Sequence, residues 1–135
     1  ETMNRHYPLV ARRAAHCCEY CHAPEAAINF HFEVEHIQPL ARGGMDSADN
    51  LALACQSCNI FKADQVLVLD ALTQSLTPLF HPRLMHWEEH FKLEIETGLL
   101  TSLTAIGRVT IEALRINSAA QVRARRLWLR LGLLP

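Results

Sequence analysis

The sequence predicts an α+β fold, a small strand–loop–strand–helix core with a mainly helical C-terminal extension, and three observations predict it. Two Cys-x-x-Cys pairs, Cys18 with Cys21 and Cys55 with Cys58, have thirty-three residues between them. Between them the alternating run Phe30-His31-Phe32-Glu33-Val34-Glu35-His36 precedes a Gly-Gly loop and the apolar run Leu51-Ala52-Leu53-Ala54. Beyond residue 100, apolar residues recur at helical spacing.

Each element follows from its residues. Pro8 to His16 reads as a short helix, with Pro8 suited to the first turn, where its missing N–H costs nothing. Alternation makes residues 30–36 a half-buried strand, with Phe30, Phe32 and Val34 expected to pack inward. Gln38-Pro39 suits its ending. Residues 40–50 form a loop by composition, in which Gly43 and Gly44 permit the chain to reverse. Leu51 to Ala54 is a short buried strand, and a helix is expected from Asn59 to Asp64. Farther on, Val66-Leu67-Val68-Leu69 and Leu76 to Phe80 suit strands around a turn. Trp87 to Glu96 reads as an amphipathic segment closed by a Thr97-Gly98 turn. Ile106, Val109, Ala113 and Ile116 make a helical stripe. Ser118 with Gln121 marks the start of a last helix whose Ala120, Ala124, Leu127 and Leu131 are expected to face the core.

The paired cysteines carry the first chemistry. Four thiolates on two short loops suit a tetrahedral structural zinc, because each loop aims both sulfurs at one ion. Cys18 gives the two-residue gap that matches the second pair. Cys17 would leave a gap of three, which zinc also accepts, so Cys18 is the expected ligand and Cys17 a small buried hydrophobe. The second constellation is Glu35, His36, Asn50 and Asn59. A carboxylate and an amide oxygen suit Mg²⁺ or Mn²⁺, and a neutral imidazole takes a proton from water near neutral pH. Glu35 and His36 share one site only where the strand ends or bulges, since successive residues point to opposite faces. The histidines at 22, 31, 81, 86 and 90 are expected to pack or to face solvent.

The length of 135 residues suits one domain, with a core at about 8–65 and a supporting region at about 66–135. With 13 basic and 14 acidic residues the net charge of −1 supplies no overall field for nucleic acid, so any DNA surface is local. The C-terminal helices supply a local basic patch, with Arg108, Arg115, Arg123, Arg125, Arg126 and Arg130 against Glu112. Lys62, three residues beyond Asn59, lies on nearly the same helical face, in reach of the same phosphate. Five cysteines without a secretory signal point to a reducing, cytoplasmic setting. No apolar run approaches the ~20 residues of a membrane span.

Taken in order, Cys18-x-x-Cys21, Glu35-His36-Ile37-x-Pro39, Gly43-Gly44, Asn50-Leu51 and Cys55-x-x-Cys58-Asn59-x-x-Lys62 resemble the HNH endonucleases. The likeness is to the zinc-stapled subgroup in which Asn replaces the last His. More loosely, residues 79–83 and 87–91 resemble the C-terminal part of small bacterial HNH proteins. The resemblance implies the ββα-metal nuclease fold, with His36 as general base and Asn50 orienting the loop and the base. It implies that Glu35 and Asn59 hold a catalytic Mg²⁺ or Mn²⁺, while Cys18, Cys21, Cys55 and Cys58 hold structural Zn²⁺. DNA is the implied partner, contacted by Lys62, Arg42, Arg108, Arg123 and Arg126, and the chain acts as a monomer or a homodimer. The competing expectation is a zinc-stapled DNA-binding or protein-interaction module that does not cleave.

Overall fold

The computed structural model describes residues 3–134. Its centre is an antiparallel hairpin of β1 (Glu33–His36) and β2 (Leu51–Ala54), in register from Glu33 opposite Ala54 to His36 opposite Leu51. All four residues of β2 are fully buried. The edge of β2 facing away from β1 is closed by other backbone and side-chain groups: Glu19 N donates to Leu53 O, the Glu19 carboxylate accepts from Leu53 N, and the Arg13 and Arg83 guanidiniums both reach Leu51 O. No strand edge is left open there for a foreign strand to pair with. Helix α1 (Tyr7–Arg13), with Pro8 in its first turn, packs on β2 and buries Tyr7, Val10 and Ala11.

Helix α2 (Gln56–Lys62) follows β2 directly and starts earlier than the expected Asn59. The reason is its cap: Cys55 Sγ accepts from Cys58 N at 3.4 Å, so the second Cys-x-x-Cys is itself the helix start.

The expected inward set on the first strand holds only in part. Phe32 is buried and Val34 half-buried, but Phe30 is 65% exposed and Glu35 takes the inward place at 7%. Regular pairing begins only at Glu33, so the alternation does not reach back to Phe30. Inside, Glu35 has its own partners: Tyr20 donates to one carboxylate oxygen, and the Lys62 ammonium lies 3.1 Å from the other. Lys62 Nζ also donates to Ile37 O at 3.0 Å. Burial pushes the Glu35 carboxyl up, and Lys62 and Tyr20 pull it back. Removing one member of such a pair strands the other charge in the interior. Lys62→Met is therefore expected to cost about 3 to 5 kcal/mol, read as a lower midpoint in urea unfolding.

The second half adds two more hairpins and two helices. β3 (Leu67–Asp70) pairs with β4 (Ser75–Pro78), and β5 (Phe91–Leu93) with β6 (Leu100–Ser102). Trp87 to Glu96 is thus split between a single 3-10 turn and β5, with the turn closed at Gly98, whose φ of +77° favours glycine. Helix α3 (Ala105–Ala113) is capped by Thr104 and buries Val109. Asp70, buried in β3, accepts two hydrogen bonds from the Arg108 guanidinium, at 3.0 and 2.7 Å.

Helix α4 (Ala119–Arg130) begins at Ser118, whose hydroxyl accepts from Gln121 N. It is turned differently from the expected stripe. Leu127 and Leu131 are 47% and 69% exposed and Ala120 faces solvent, whereas Arg125 is buried at 1%. The inward side is the i, i+4, i+7 row of Gln121, Arg125 and Trp128. The guanidinium takes that position because the interior offers it carbonyls, Gly98 O at 2.7 Å and Ile116 O at 2.8 Å.

Candidate metal centre and active site

The two Cys-x-x-Cys loops meet. The sulfurs of Cys18, Cys21, Cys55 and Cys58 all lie within 4.8 Å of one another, and all four residues are buried. The first loop is folded by Cys18 N on Ala23 O and His22 N on Cys18 O, with His22 in the left-handed region at φ 66°. Cys17 stands apart, half-exposed and bridged to Pro24. The gap of two, not three, is the one that reaches the cluster.

The crowding splits the thiols. Hydrogen bonds from Cys18, Cys21 and Cys58 pull the Cys55 thiol far down. Cys21 and Cys58 are pushed up, first through their hydrogen bonds to Cys18 and then, among other causes, by burial. Four buried sulfurs at mutual contact distance fit a tetrahedral metal and little else, because four such thiolates without a cation would repel one another. Among the described residues this is the one group of three or more Cys, His, Asp or Glu side chains able to hold an ion.

The second constellation is assembled differently from its expectation. His36 ends β1 with its side chain 24% exposed, and its Nε2 lies 2.9 Å from Asp46 Oδ1. Arg5 and His6 also reach Asp46, at 3.2 and 3.4 Å. The Asp46 carboxyl is held down to about 2, chiefly by its hydrogen bond with His36 and then by Arg5 and His6. Asn50 binds the loop to itself: its Oδ1 accepts from Gln38 N at 2.9 Å, and its Nδ2 donates to Gln38 O at 3.0 Å and Met45 O at 2.8 Å. Gly43 turns the loop at φ +88°. A Cβ on Gly44 would run into the Gln38 carbonyl and the Asn50 amide.

Glu35 and Asn59 do not form an open ligand pair. Asn59 is half-buried on α2, but both Glu35 oxygens are engaged on the inner side of β1. An ion on Glu35 does not fit while the Lys62 ammonium holds that carboxylate. Lys62 itself, expected at a phosphate, is 1% exposed and cannot meet one in this arrangement. Of the expected DNA contacts, Arg108 is committed to Asp70, and Arg42 donates to Asp64 O at 2.9 Å with half its side chain exposed. Arg123 and Arg126 are exposed on α4.

Asp46 escaped the sequence reading, as did the Glu35–Lys62 pairing. A loop Asp two residues past Gly44 looks like turn chemistry, and no local pattern announces its partner. For Lys62 a local signal did exist: a lysine one helical turn after Cys58 shares the inward face of α2.

A paired hairpin followed at once by a helix, stapled at both ends by four cysteines and carrying a histidine at its loop, defines a cysteine-stapled ββα domain. Residues 18–65 match the family model HNH endonuclease, so this stretch of the chain is similar to the HNH endonucleases. No curated protein and no solved structure matches the chain. Among the described residues, no helix is long and apolar enough to cross a membrane.

Proposed function

We propose that the chain is a metal-dependent DNA endonuclease in which His36 removes the proton from the attacking water. The supporting observation is that the HNH match covers the one histidine of the β1–β2 hairpin, and that this histidine stands partly exposed against an ionised carboxylate. An ionised carboxylate only accepts, so Asp46 fixes the ring hydrogen on Nε2 and leaves the Nδ1 lone pair as the basic site. A base positioned in this way accelerates hydrolysis by typically ~10² to 10⁴-fold. Asn50, by tying Gln38 to Met45, holds the loop that carries Asp46.

The four cysteines are proposed to bind zinc as a staple. A fully ligated ion has no position for substrate, so its contribution is to the fold. A bound Mg²⁺ or Mn²⁺ would supply charge neutralisation at the phosphate. Its reading onto Glu35 and Asn59 requires Lys62 to release Glu35 first. Exposed Arg123 and Arg126, with Arg42, are the proposed phosphate contacts.

Asp46→Asn keeps the size of the side chain and removes its charge. Plasmid cleavage is expected to fall about tenfold, less than the ~10² to 10⁴ of the base itself, with an unchanged melting temperature because the carboxylate is exposed.

The test of the function is cleavage of supercoiled plasmid with Mg²⁺, Mn²⁺ or EDTA. Nicking with metal and none with EDTA is expected. One observation favours a second reading, a DNA-binding module without cleavage: the Glu35 carboxylate is already neutralised by Lys62. That reading gains if the wild type shifts DNA in a gel but leaves plasmid intact under every metal.

A further inference from the structure

Among the described residues Arg125 is the largest fully buried side chain, and its charge has no acidic partner there. Its guanidinium donates to neutral oxygens only, Gly98 O, Ile116 O and, at 3.4 Å, Asn117 Oδ1. Its Nε–H is buried with no partner, and Gln121 Nε2, one turn earlier on the same face of α4, is in the same condition. A buried cation without a counter-charge is disfavoured, and two orphaned donors on one face of α4 mark this as the place where a further partner is wanted. The groups that oppose the effect of burial on Arg125 are the sulfurs of Cys21, Cys58, Cys55 and Cys18. Helix α4 also faces the second cysteine loop across a groove: Gln121, Ala124 and Trp128, whose i, i+4, i+7 face includes Arg125, line it together with Cys55, Gln56 and Ser57.

A divalent ion on four thiolates carries a net charge of −2, and such a site, fully buried, needs positive charge from its surroundings. We propose that Arg125 is the counter-cation of the four-cysteine metal centre, so that α4, outside the HNH-matched stretch, is fastened to the core through the metal. The inference rests on the zinc reading above. It gives Arg125 a positioning and charge-balancing role at the staple and removes it from the DNA-binding patch.

The experiment uses the full chain. Elemental analysis first establishes zinc in the wild type; absence of bound metal overturns both the zinc reading and this inference. Zinc affinity is then measured by competition with a chromophoric chelator. R125M is expected to bind zinc about 10- to 100-fold more weakly, the usual effect of losing an outer partner of a metal site. Its cobalt-substituted form is expected to show the thiolate-to-metal absorption moved to lower energy. If Arg125 only braces Gly98 and Ile116, R125M lowers the melting temperature of metal-loaded and metal-free chains alike while affinity and absorption stay where they were, and the inference falls. Should R125M not fold, R125K and R125Q decide the matter. R125K, which keeps the charge, is expected to bind zinc more tightly than R125Q, which keeps only a donor, and equal affinities overturn the proposal.

Discussion

His36→Ala is expected to abolish metal-dependent nicking of supercoiled plasmid while leaving the fold in place. The ring lies at the end of β1 and is partly exposed. Its loss removes a hydrogen bond to Asp46 but opens no large void. The chemical loss is far greater, because no other described side chain of the loop is a base held by a carboxylate. A rate decrease of ~10² to 10⁴-fold is expected, with far-ultraviolet circular dichroism, metal content and melting temperature close to wild type. DNA binding, measured separately by gel shift, should persist, since the proposed phosphate contacts lie elsewhere. Full cleavage activity in this variant would remove His36 from the reaction.

Cys58→Ala is expected to have the larger effect on the fold. Cys58 is fully buried, sits in the sulfur cluster and lies in the first turn of α2. Three thiolates leave the ion's shell open, and the binding energy of a structural zinc, ~10 to 16 kcal/mol at neutral pH, is folding energy. That is as large as the whole stability of an ordinary domain, ~5 to 15 kcal/mol. The variant should therefore purify without zinc and lose its cooperative melting transition. Cys17→Ala is the matched control, since Cys17 lies outside the cluster, and it should retain both metal and melting curve. A Cys58→Ala chain melting like the wild type would dismiss the staple.

The parts of this molecule that were legible in the sequence are those fixed by short-range geometry. Cys18 and Cys21 lie on one loop, as do Cys55 and Cys58, so ligand spacing alone announced that each pair acts together. The β1–β2 hairpin was legible because alternation, a Gly-Gly loop and an apolar run came in order. What stayed hidden depends on elements distant in the chain. Lys62 read as a phosphate ligand because its place relative to Asn59 was visible, whereas Glu35 and the Ile37 carbonyl, which hold it inward, come from β1 and the residue just after it. Asp46 became meaningful only once His36, His6 and Arg5 converged on it. In α4, hydrophobicity favoured the stripe through Leu127 and Leu131. The helix is rotated instead to place Arg125 against the Gly98 and Ile116 carbonyls, and hydropathy cannot weigh a cation that finds oxygens inside.

The Asn50 clamp has a consequence for how any ligand of His36 is met. Its three side-chain hydrogen bonds, two with Gln38 and one with Met45, tie both ends of the loop to the residue before β2, and Gly44 N adds a fourth tie to Pro39 O. Ordering a flexible segment removes about 1 to 2 kcal/mol of backbone entropy per residue. Here that loss occurs during folding, before any substrate arrives. On the proposed nuclease reading, a phosphodiester approaching His36 would find the loop already set, and its encounter energy would go into alignment and not into ordering the chain.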